Sequence, residues 1–528
     1  MELSRLLAAL SDPAAYPFAV GRVEVRQTHI SAVFLAGSFA YKIKKPVRLG
    51  FVDFSTLSRR RHFCAEEVRL NRRLAPEVYL GVVPVARVGN DLKVEGSAGE
   101  VVEWAVKMQR LPEAATLQKR LRRGEITAAQ LTALARKVAA FHAAAEGSER
   151  IAAFGRFEVV AQNARENFSQ SAAQVGVTVS PGVFARLQEL TEEALAQLRP
   201  LIESRARRGV PRDTHGDLHL DHVYLFPERP PPADLVIIDC IEFNERFRYA
   251  DPVADAAFVV MDLIFHGRRD LADSFADAYL SAAQDAEGRA LLPFYTAYRA
   301  AVRGKVEGLR SVEGEVPEAE RSAARQRARA YWLLALGQLE EPGRRPCLLL
   351  VSGVPGSGKS TLARGLAERA SFAVIRSDVV RKELAGLAAA DHSRTAYAGG
   401  IYTAEWNERT YAECLRRAER LLFEGRRVLV DASFREESRR RAFLEAAERW
   451  GVPGAFLLCR AGPAAIRDRL AHRRGDVSDA DWLIAQQAAA HWEEAGPRTR
   501  AVLHAVSTDG SREEALADAL AIVRQLGL

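Results

Sequence analysis

Gly353-Val-Pro-Gly-Ser-Gly-Lys359-Ser360-Thr361 follows the apolar run Cys347-Leu-Leu-Leu-Val351 and opens a helical pattern that reaches Ala370. Its spacing is G-x-x-x-x-G-K-[ST], in which glycines let backbone N–H groups face a phosphate chain and the helix start adds a favourable dipole. Lys359 is expected to reach the β- and γ-phosphates of ATP, and Ser360 to bind Mg²⁺. The predicted nucleotide-binding residues are Gly353, Pro355, Gly356, Ser357, Gly358, Lys359, Ser360 and Thr361.

A carboxylate follows the next strand-like run. Asp378 comes directly after Ala373-Val-Ile-Arg-Ser377, where an acceptor hydroxyl could meet the γ-phosphate, and Arg381 lies about one helical turn further on. An alternative function for Asp378 is a helix cap. The segment from Gly386 to Thr410 is expected to supply the acceptor pocket through His392, Arg394, Tyr397, Tyr402, Trp406 and Arg409.

Two further elements complete the expected nucleotide site. Asp431 ends the apolar strand-like run Arg427-Val-Leu-Val430 and suits a Mg²⁺ ion held through water. Arg469 and Arg473, four residues apart, share one face of a predicted helix and could close over the transferring phosphoryl group as a lid. The alternative for Arg469 is a solvated helix face.

The order of these motifs resembles the P-loop kinases of the polynucleotide kinase, zeta toxin and gluconate kinase type, over Cys347 to Leu528. The resemblance implies that Asp378 is the general base, that Arg381 contacts the acceptor, and that Arg469 and Arg473 form the lid.

A second pair of carboxylates lies in the larger half. The run His215-Gly-Asp217-Leu-His219-Leu-Asp-His222 precedes a short strand pattern, and Leu235-Val-Ile-Ile-Asp239-Cys-Ile-Glu242 follows about twenty residues later. Phosphoryl transfer requires one carboxylate that orients and deprotonates the acceptor and another that holds Mg²⁺ against the phosphates. Asp217 and Asp239 fit these two roles.

These motifs resemble the aminoglycoside phosphotransferase and protein-kinase-like fold, over about Thr28 to Leu339. The resemblance implies a phosphate-binding lysine on the strand Tyr41-Lys42-Ile-Lys44, whose alternation puts Lys42 and Lys44 on one face; we favour Lys42. Glu67 lies where the family's lysine-pairing helix falls. The run Leu134 to His142 resembles the family's helix ending in Leu-His, and Asp251-Pro-Val-Ala-Asp255 resembles the helix that supports the catalytic loop.

This half departs from the family pattern at one metal ligand. The family's asparagine is replaced by His222, and imidazole suits Mg²⁺ poorly. The glycine-rich phosphate cover is also reduced to Ala36-Gly37-Ser38. His222 is retained as a metal-ligand candidate, and His215 is expected to pack under the loop and bind its backbone.

The predicted fold class is α/β and α+β. A two-lobed kinase-like fold, with a β-rich lobe at residues 1–112 and a helical lobe at 113–340, precedes a P-loop kinase with a parallel sheet at 347–528. The polar, proline-containing stretch 341–346 is the predicted linker.

Ser31 to Lys44 is predicted to form two short strands around Gly37-Ser38, and Thr127 with Gln130 is predicted to form a capping box that opens a helix. After the linker, strands and helices are predicted to alternate.

Composition excludes several classes of protein. The chain has 528 residues, 48% of them apolar, and its 75 basic against 68 acidic side chains give a net charge of +7. No run approaches the ~18 apolar residues of a membrane helix. The start of the sequence also lacks the long apolar core of a signal peptide, so we predict a cytoplasmic protein without membrane partners. Five scattered cysteines make no metal-binding pattern, which predicts reduced, buried thiols. Basic residues alternate with acidic ones, so no nucleic-acid groove is indicated.

The chain as a whole resembles the bacterial bifunctional aminoglycoside phosphotransferase/ATP-binding proteins, with an AAA-type P-loop half. We therefore predict an ATP- and Mg²⁺-dependent phosphotransferase with two nucleotide sites, acting on a hydroxyl of a small molecule or a nucleic-acid end. One alternative is a pseudokinase or recognition module fused to an ATP-dependent regulatory switch, and another is a 5′-hydroxyl polynucleotide kinase.

Overall fold

The computed structural model of the protein describes residues 2–50, 52–96, 98–388, 400–472 and 481–528. The chain divides into two compact units. The first unit comprises Met1–Val160, Leu198–Leu263 and Arg269–Leu292; the second comprises Ala161–Gln197, Ile264–Arg268 and Pro293–Leu528. The domain boundaries drawn from the sequence at residues 112, 340 and 346 stay predictions.

The strands of the described residues are numbered in chain order. They are β1 (Val23–Gln27), β2 (Ser31–Ala36), β3 (Phe39–Lys44), β4 (Arg48–Leu49), β5 (Val52–Asp53), β6 (Tyr79–Val88), β7 (Asp91–Val94), β8 (Glu100–Gln109), β9 (Arg212–Asp213), β10 (Val223–Leu225), β11 (Leu235–Ile237), β12 (Tyr249–Ala250), β13 (Cys347–Ser352), β14 (Ala373–Arg376), β15 (Arg427–Asp431), β16 (Gly454–Arg460) and β17 (Leu503–Ser507).

The α-helices of the same residues are numbered likewise. They are α1 (Leu3–Ser11), α2 (Leu57–Asn71), α3 (Leu117–Arg122), α4 (Ala128–Ala144), α5 (Glu149–Phe154), α6 (Phe157–Ser171), α7 (Pro181–Arg207), α8 (Glu245–Arg248), α9 (Pro252–Phe265), α10 (Arg269–Ala282), α11 (Gly288–Arg310), α12 (Glu318–Leu339), α13 (Lys359–Ala370), α14 (Ser377–Leu384), α15 (Ala404–Phe423), α16 (Glu437–Arg449), α17 (Pro463–Ala471), α18 (Trp482–Ala490), α19 (Pro497–Ala501) and α20 (Arg512–Gln525).

The first unit begins with an antiparallel sheet in the order β1-β2-β3-β8-β6-β7. Strands β2 and β3 pair from Ser31 opposite Lys44 to Ala36 opposite Phe39. The two residues between them form a tight turn in which Gly37 has φ +57°, a conformation that glycine adopts without steric cost. This confirms the strand pair predicted around Gly37-Ser38.

Helix α2 packs on this sheet through Cys64 and Val68, which contact the cluster that includes Val106 and Met108 of β8. Because side chains one turn apart share a helix face, Glu67 of the same helix points toward β3. The packing of α2 therefore brings an acidic side chain under the lysines of β3.

The helical part of the first unit supports two loops that carry the candidate site. Helix α4 begins with the predicted capping box, in which Thr127 and Gln130 exchange side-chain and backbone hydrogen bonds. Strands β10 and β11 pair antiparallel with Val223 opposite Ile237. This pairing brings the loop that precedes β10 next to the residues that follow β11.

The second unit contains a parallel sheet in the order β14-β15-β13-β16-β17. Its central strand β13 is wholly buried, as expected for a strand covered on both faces. Leu349 and Val351 pack in one cluster with Leu366 of α13 and Val523 of α20. The predicted strand–helix alternation and parallel sheet are confirmed.

Other sequence-based expectations concern the linker, the cysteines and membrane helices. Pro342–Arg344 forms a single 3₁₀ turn after Glu340, whose carboxylate binds Arg186 at 2.8 Å within the second unit. All five cysteines are buried and unpaired, as predicted. Across the described ranges, every helix is too short or too polar to cross a membrane.

Candidate active sites

The phosphate loop of the second unit connects β13 to α13, which begins at Lys359. Gly356 and Gly358 have φ angles of +81° and +85°, a left-handed backbone that favours glycine. The loop therefore has the glycine-dependent turn that the motif predicts. It ends at the N-terminus of α13, where anions bind favourably.

Asp431 lies at the carboxyl end of the sheet beside this loop. In the strand register it is opposite Val351 on one side and Arg376 on the other. Its carboxylate accepts a hydrogen bond from the Ser360 hydroxyl and lies near the Lys359 ammonium. Parallel strands thus bring Asp431 to the adjacent residues Lys359 and Ser360, which lie far from it in sequence.

The Asp431 carboxylate is 3% exposed, and its Oδ1 atom has no hydrogen-bond partner among the described residues. Burial raises its pKa, against the opposing effect of Lys359. A buried carboxylate oxygen with an unused lone pair beside a serine hydroxyl is a suitable donor set for a hard cation. These residues fit Mg²⁺.

Asp378 is the second residue of α14, whose N-cap position is Arg376, so Asp378 is not the capping residue. Its carboxylate is near enough to raise the pKa of Asp431 by repulsion. The predicted base and the predicted metal carboxylate therefore lie at the same edge of the sheet.

Arg381 is 5% exposed and holds the segment that follows α14. Its guanidinium donates hydrogen bonds to the Ile401 carbonyl and to Asn407 Oδ1, both at 2.8 Å, and lies over the Tyr402 ring at 4.9 Å. Of the predicted pocket residues, Trp406 and Arg409 stack on each other at 4.5 Å. His392, Arg394 and Tyr397 lie outside the described residues.

Arg469 contacts the back of the phosphate loop. Its guanidinium donates hydrogen bonds to the carbonyls of Gly356 and Thr508. Thr508 in turn donates its hydroxyl to the Ser357 carbonyl at 2.7 Å. Arg469 thus braces the loop in this structure, and its role as a lid stays a prediction; Arg473 lies outside the described residues.

The site of the first unit centres on Lys42. Its ammonium lies 2.6 Å from Asp239 Oδ1 and 2.9 Å from Glu67 Oε1. Burial alone would raise the pKa of Asp239, but Lys42 and His222 together hold it well below the usual range. Asp239 therefore carries its charge at neutral pH, as a phosphate-side metal ligand must.

Lys44 lies deeper in the same cluster. It is 1% exposed and pairs with Glu67 Oε2 at 2.5 Å and with Glu242. Burial raises the pKa of Glu242, against the opposing effect of Lys44. Lys44 is thus enclosed by carboxylates, whereas Lys42, with 13% of its side chain exposed, reaches toward Asp239.

The backbone at Asp239 is held in an unusual conformation. Its φ is +67°, a region that non-glycine residues rarely adopt. Its N–H donates to the Tyr79 hydroxyl at 3.1 Å, and the next N–H, of Cys240, donates to Asn71 Oδ1 at 2.8 Å. These two bonds stabilise the turn that aims the Asp239 carboxylate at Lys42.

The loop that carries Asp217 is anchored from below by α9. Asp255 accepts hydrogen bonds from the N–H groups of His215 and Gly216 at 3.0 and 2.9 Å, and it contacts His142 Nε2 at 3.0 Å. His215 accepts from the Asp217 N–H at 3.2 Å and bonds the Ile238 carbonyl at 2.9 Å. His215 has the predicted structural role.

His222 lies between the two carboxylates of this site. Its Nε2 is 3.4 Å from Asp239 Oδ2 and its Nδ1 is 2.9 Å from the Asp217 carbonyl. The ring of His219 stacks on that of His222 with 3.9 Å between centroids. The His222 imidazole takes the place of the family's amide oxygen, so this position does not fit Mg²⁺ as the family pattern requires.

We expect the first unit to lose stability as the pH falls because of His215. Burial lowers the pKa of its imidazole from 6.5 to about 4. Between pH 6.5 and about pH 4, His215 is therefore protonated in the unfolded chain but neutral in the folded unit. The linked loss is about 3 kcal/mol between about pH 7 and pH 4. The loss of stability is measured by urea denaturation at each pH, in the presence of a metal chelator. Unfolding of the first unit is followed by hydrogen-exchange mass spectrometry of peptides from that unit.

The variant His215→Asn should flatten this pH dependence, whatever its effect on stability at neutral pH. The matched control is His62→Asn, since His62 is an exposed residue of the same unit. Equal pH slopes for the wild type and His215→Asn would contradict the expected effect.

Two protein-family models match this chain, one in each part. The model of the phosphotransferase enzyme family matches residues 51–294, and that of an AAA domain matches residues 348–494. Uncharacterized proteins of Mycobacterium bovis and of two strains of Mycobacterium tuberculosis are 34% identical over 489 residues, which covers 91% of this chain and 94% of theirs. The chain belongs to their family. The similarity to these relatives extends across both the phosphotransferase and the AAA domains.

Solved structures similar to the AAA domain include a gluconokinase from Sinorhizobium meliloti 1021, with 22% identity over 34% of this chain and 93% of that one and a TM-score of 0.26. A sugar kinase from Janibacter sp. HTCC2649 has 20% identity over 34% and 94%, with a TM-score of 0.27. The two family matches and the parallel sheet confirm the predicted fold class: a kinase-like phosphotransferase domain precedes a P-loop domain with a parallel sheet.

Several residues of these sites were not singled out from the sequence. Glu242 pairs with Lys44. Two buried lysines on one strand face require more than one carboxylate partner, and this requirement could have pointed to Glu242. Thr508 follows β17, and the rule that parallel strands end at one edge would have placed it beside the phosphate loop. His219 was visible only as a second histidine in the Asp217 loop.

Proposed function

We propose that the protein is an ATP- and Mg²⁺-dependent phosphotransferase with two nucleotide sites, and that its AAA domain transfers the γ-phosphoryl group of ATP to a hydroxyl acceptor. One observation carries this proposal: the phosphate loop, Asp431 and Asp378 meet at the carboxyl edge of the parallel sheet. The first two hold the nucleotide and its metal ion, and the second carboxylate supplies a base for the attacking hydroxyl.

In the AAA domain, Lys359 neutralises charge on the β- and γ-phosphates, while Ser360 and Asp431 would hold Mg²⁺. When bound there, such an ion would supply positive charge that offsets the charge of the phosphates. Asp378 orients the acceptor hydroxyl and takes its proton. Arg381 fixes the acceptor-side segment through Ile401 and Asn407, and Arg469 with Arg473 closes over the phosphates.

In the phosphotransferase domain, Lys42 is the phosphate-binding lysine and Glu67 holds it in place. The support is geometric, because Lys42 reaches Asp239 while Lys44 is enclosed by Glu67 and Glu242. Asp217 is the general base toward a second acceptor hydroxyl.

A second candidate function is favoured by His222. Its imidazole stands where the family supplies an oxygen ligand, which supports a pseudokinase or recognition module in the first unit. The AAA domain would then be the ATP-dependent part, acting as a kinase or as a regulatory switch.

The test is transfer of labelled γ-phosphate from ATP to aminoglycosides, sugars, nucleosides and oligonucleotide 5′ ends, with the wild type and with Asp217→Asn. Two active sites predict that Asp217→Asn removes transfer to one acceptor class by at least about a hundredfold and leaves another unchanged. Asp221→Asn, a neighbouring carboxylate of the same loop, is the control.

Equal transfer by wild type and Asp217→Asn to every acceptor would favour the pseudokinase. Absence of transfer to any acceptor class, with ATP hydrolysis intact, would favour the switch. Oligonucleotide acceptors are distinguished by salt, because binding to a polyanion weakens steeply as the salt concentration rises.

A further inference from the structure

The Asp217 loop presents a cluster of metal-ligand side chains. One donor atom from each of Asp217, His219 and His222 lies within 4.8 Å of the other two, and among the described residues this is the one such group. His219 Nε2 is 3.5 Å from Asp217 Oδ2, and His222 Nε2 is 3.4 Å from Asp239 Oδ2. Asp217 thus lies close to His219, and Asp239, which is outside the group of three, lies close to His222.

These separations suit an ion between the donors. Two ligands that bind a metal at about 2.0–2.1 Å in tetrahedral geometry are themselves about 3.4 Å apart. Direct hydrogen bonds would be shorter, at about 2.7–3.2 Å. The His219 imidazole and the Asp217 carboxylate are therefore spaced for a shared ion rather than for contact with each other. The other His222 nitrogen, Nδ1, lies 3.7 Å from the same Asp217 oxygen.

The ring of His222 is oriented as a ligand. Its Nδ1 faces the Asp217 carbonyl at 2.9 Å, which makes Nδ1 the protonated nitrogen and leaves the Nε2 lone pair toward Asp239. Metal-bound histidines typically donate their other N–H to a carbonyl or carboxylate in this way.

The loop is also rigid enough to hold the cluster. Leu220–His222 forms a 3₁₀ turn, the Leu220 N–H donates to Asp262 Oδ2 at 2.9 Å, and the Ile238 N–H donates to the His222 carbonyl at 3.0 Å. Ligand positions fixed before binding reduce the entropic cost of capturing an ion.

We propose that the phosphotransferase domain binds a borderline divalent transition-metal ion of the Zn²⁺ type through Asp217, His219 and His222, with Asp239 beside the open position. Two imidazoles and one carboxylate with an open position are a ligand set typical of such ions, whereas Mg²⁺ prefers oxygen alone. This inference goes beyond the proposed function, since binding requires neither nucleotide nor acceptor. Because a carboxylate bound to the ion is not free to act as a base, occupancy of this site agrees with the second candidate function of the first unit rather than with Asp217 as a general base.

The test is titration of the chelator-stripped, nucleotide-free full chain with Co²⁺, whose visible absorption intensifies in four- or five-coordinate sites. We expect one equivalent of Co²⁺ to give this band, Zn²⁺ to abolish it by displacement, and a large excess of Mg²⁺ to leave it unchanged. His222→Asn, which restores an amide oxygen, and His219→Gln should each weaken Co²⁺ binding at least about tenfold.

The control is His62→Asn, which alters an exposed histidine of the same domain and should bind Co²⁺ as the wild type does. Circular dichroism establishes whether each variant is folded. If one of the two loop variants does not fold, the other is sufficient for the test. A band of unchanged affinity in the folded loop variant, no band in the wild type, or displacement by Mg²⁺ would each overturn the proposal. None of these results depends on phosphoryl transfer, so they are distinct from failure of the proposed function.

Discussion

Lys359→Ala is expected to lower ATP turnover by the AAA domain by at least about a hundredfold, because it removes the positive charge that faces the transferring phosphates. Lys359 begins α13 and lies near the buried Asp431 carboxylate, so its ammonium is positioned by the fold. A smaller side chain leaves the backbone of the loop in place but leaves the negative charge of the phosphates unmatched. ATP turnover is measured in an Asp217→Asn background, so that the remaining rate belongs to the AAA domain.

The matched control for this variant is Arg364→Ala. Arg364 is an exposed cation of the same helix, less than two turns further on. It should turn over ATP as the parent does. Turnover by Lys359→Ala at the parent rate, in protein shown to be folded, would refute the assignment of the phosphate loop.

Asp378→Asn should reduce phosphoryl transfer by the AAA domain about 10²–10⁴-fold while leaving ATP binding intact. The amide is nearly isosteric, so α14 persists, but it accepts no proton from the acceptor hydroxyl. Asp378 lies near Asp431 at the carboxyl edge of the sheet without being the helix N-cap, so the loss should fall on the chemical step. Transfer is measured with labelled ATP, and binding with a fluorescent ATP analogue.

Glu383→Gln serves as the control, since it changes an exposed carboxylate of the same helix to its amide. The competing explanation of Asp378, a helix-stabilising residue, predicts lower thermal stability with unchanged transfer. Unchanged transfer by Asp378→Asn would therefore remove the general base from the proposed mechanism.

Local features of the sites were readable in the sequence because short-range chemistry determines them. The glycines of the phosphate loop, the two-residue turn at Gly37-Ser38 and the capping box at Thr127 each depend on residues within a few positions. Strand alternation also put Lys42 and Lys44 on one face. Strand alternation did not identify the carboxylates that pair with these lysines, because a period of two residues does not show which helix or loop covers that face.

Pairing across long sequence separations came only from the tertiary structure. Lys42 meets Asp239 almost two hundred residues away, and the pairing of β10 with β11 sets His222 against the same carboxylate. Arg469 shows the same limit: its helical spacing was visible, but its contacts with Gly356 and Thr508 depend on how α17 and β17 approach the phosphate loop.

By itself, the sequence determined that this protein has a phosphate loop between a strand and a helix, and a separate loop with Asp217 and three histidines. The tertiary structure decided which polar and charged side chains meet: Ser360 with Asp431, Lys44 with Glu242, and His222 with Asp239. The physical reason is that backbone propensity acts over a few residues. The energy of a buried charge depends instead on every group within several ångströms, whichever part of the chain supplies it.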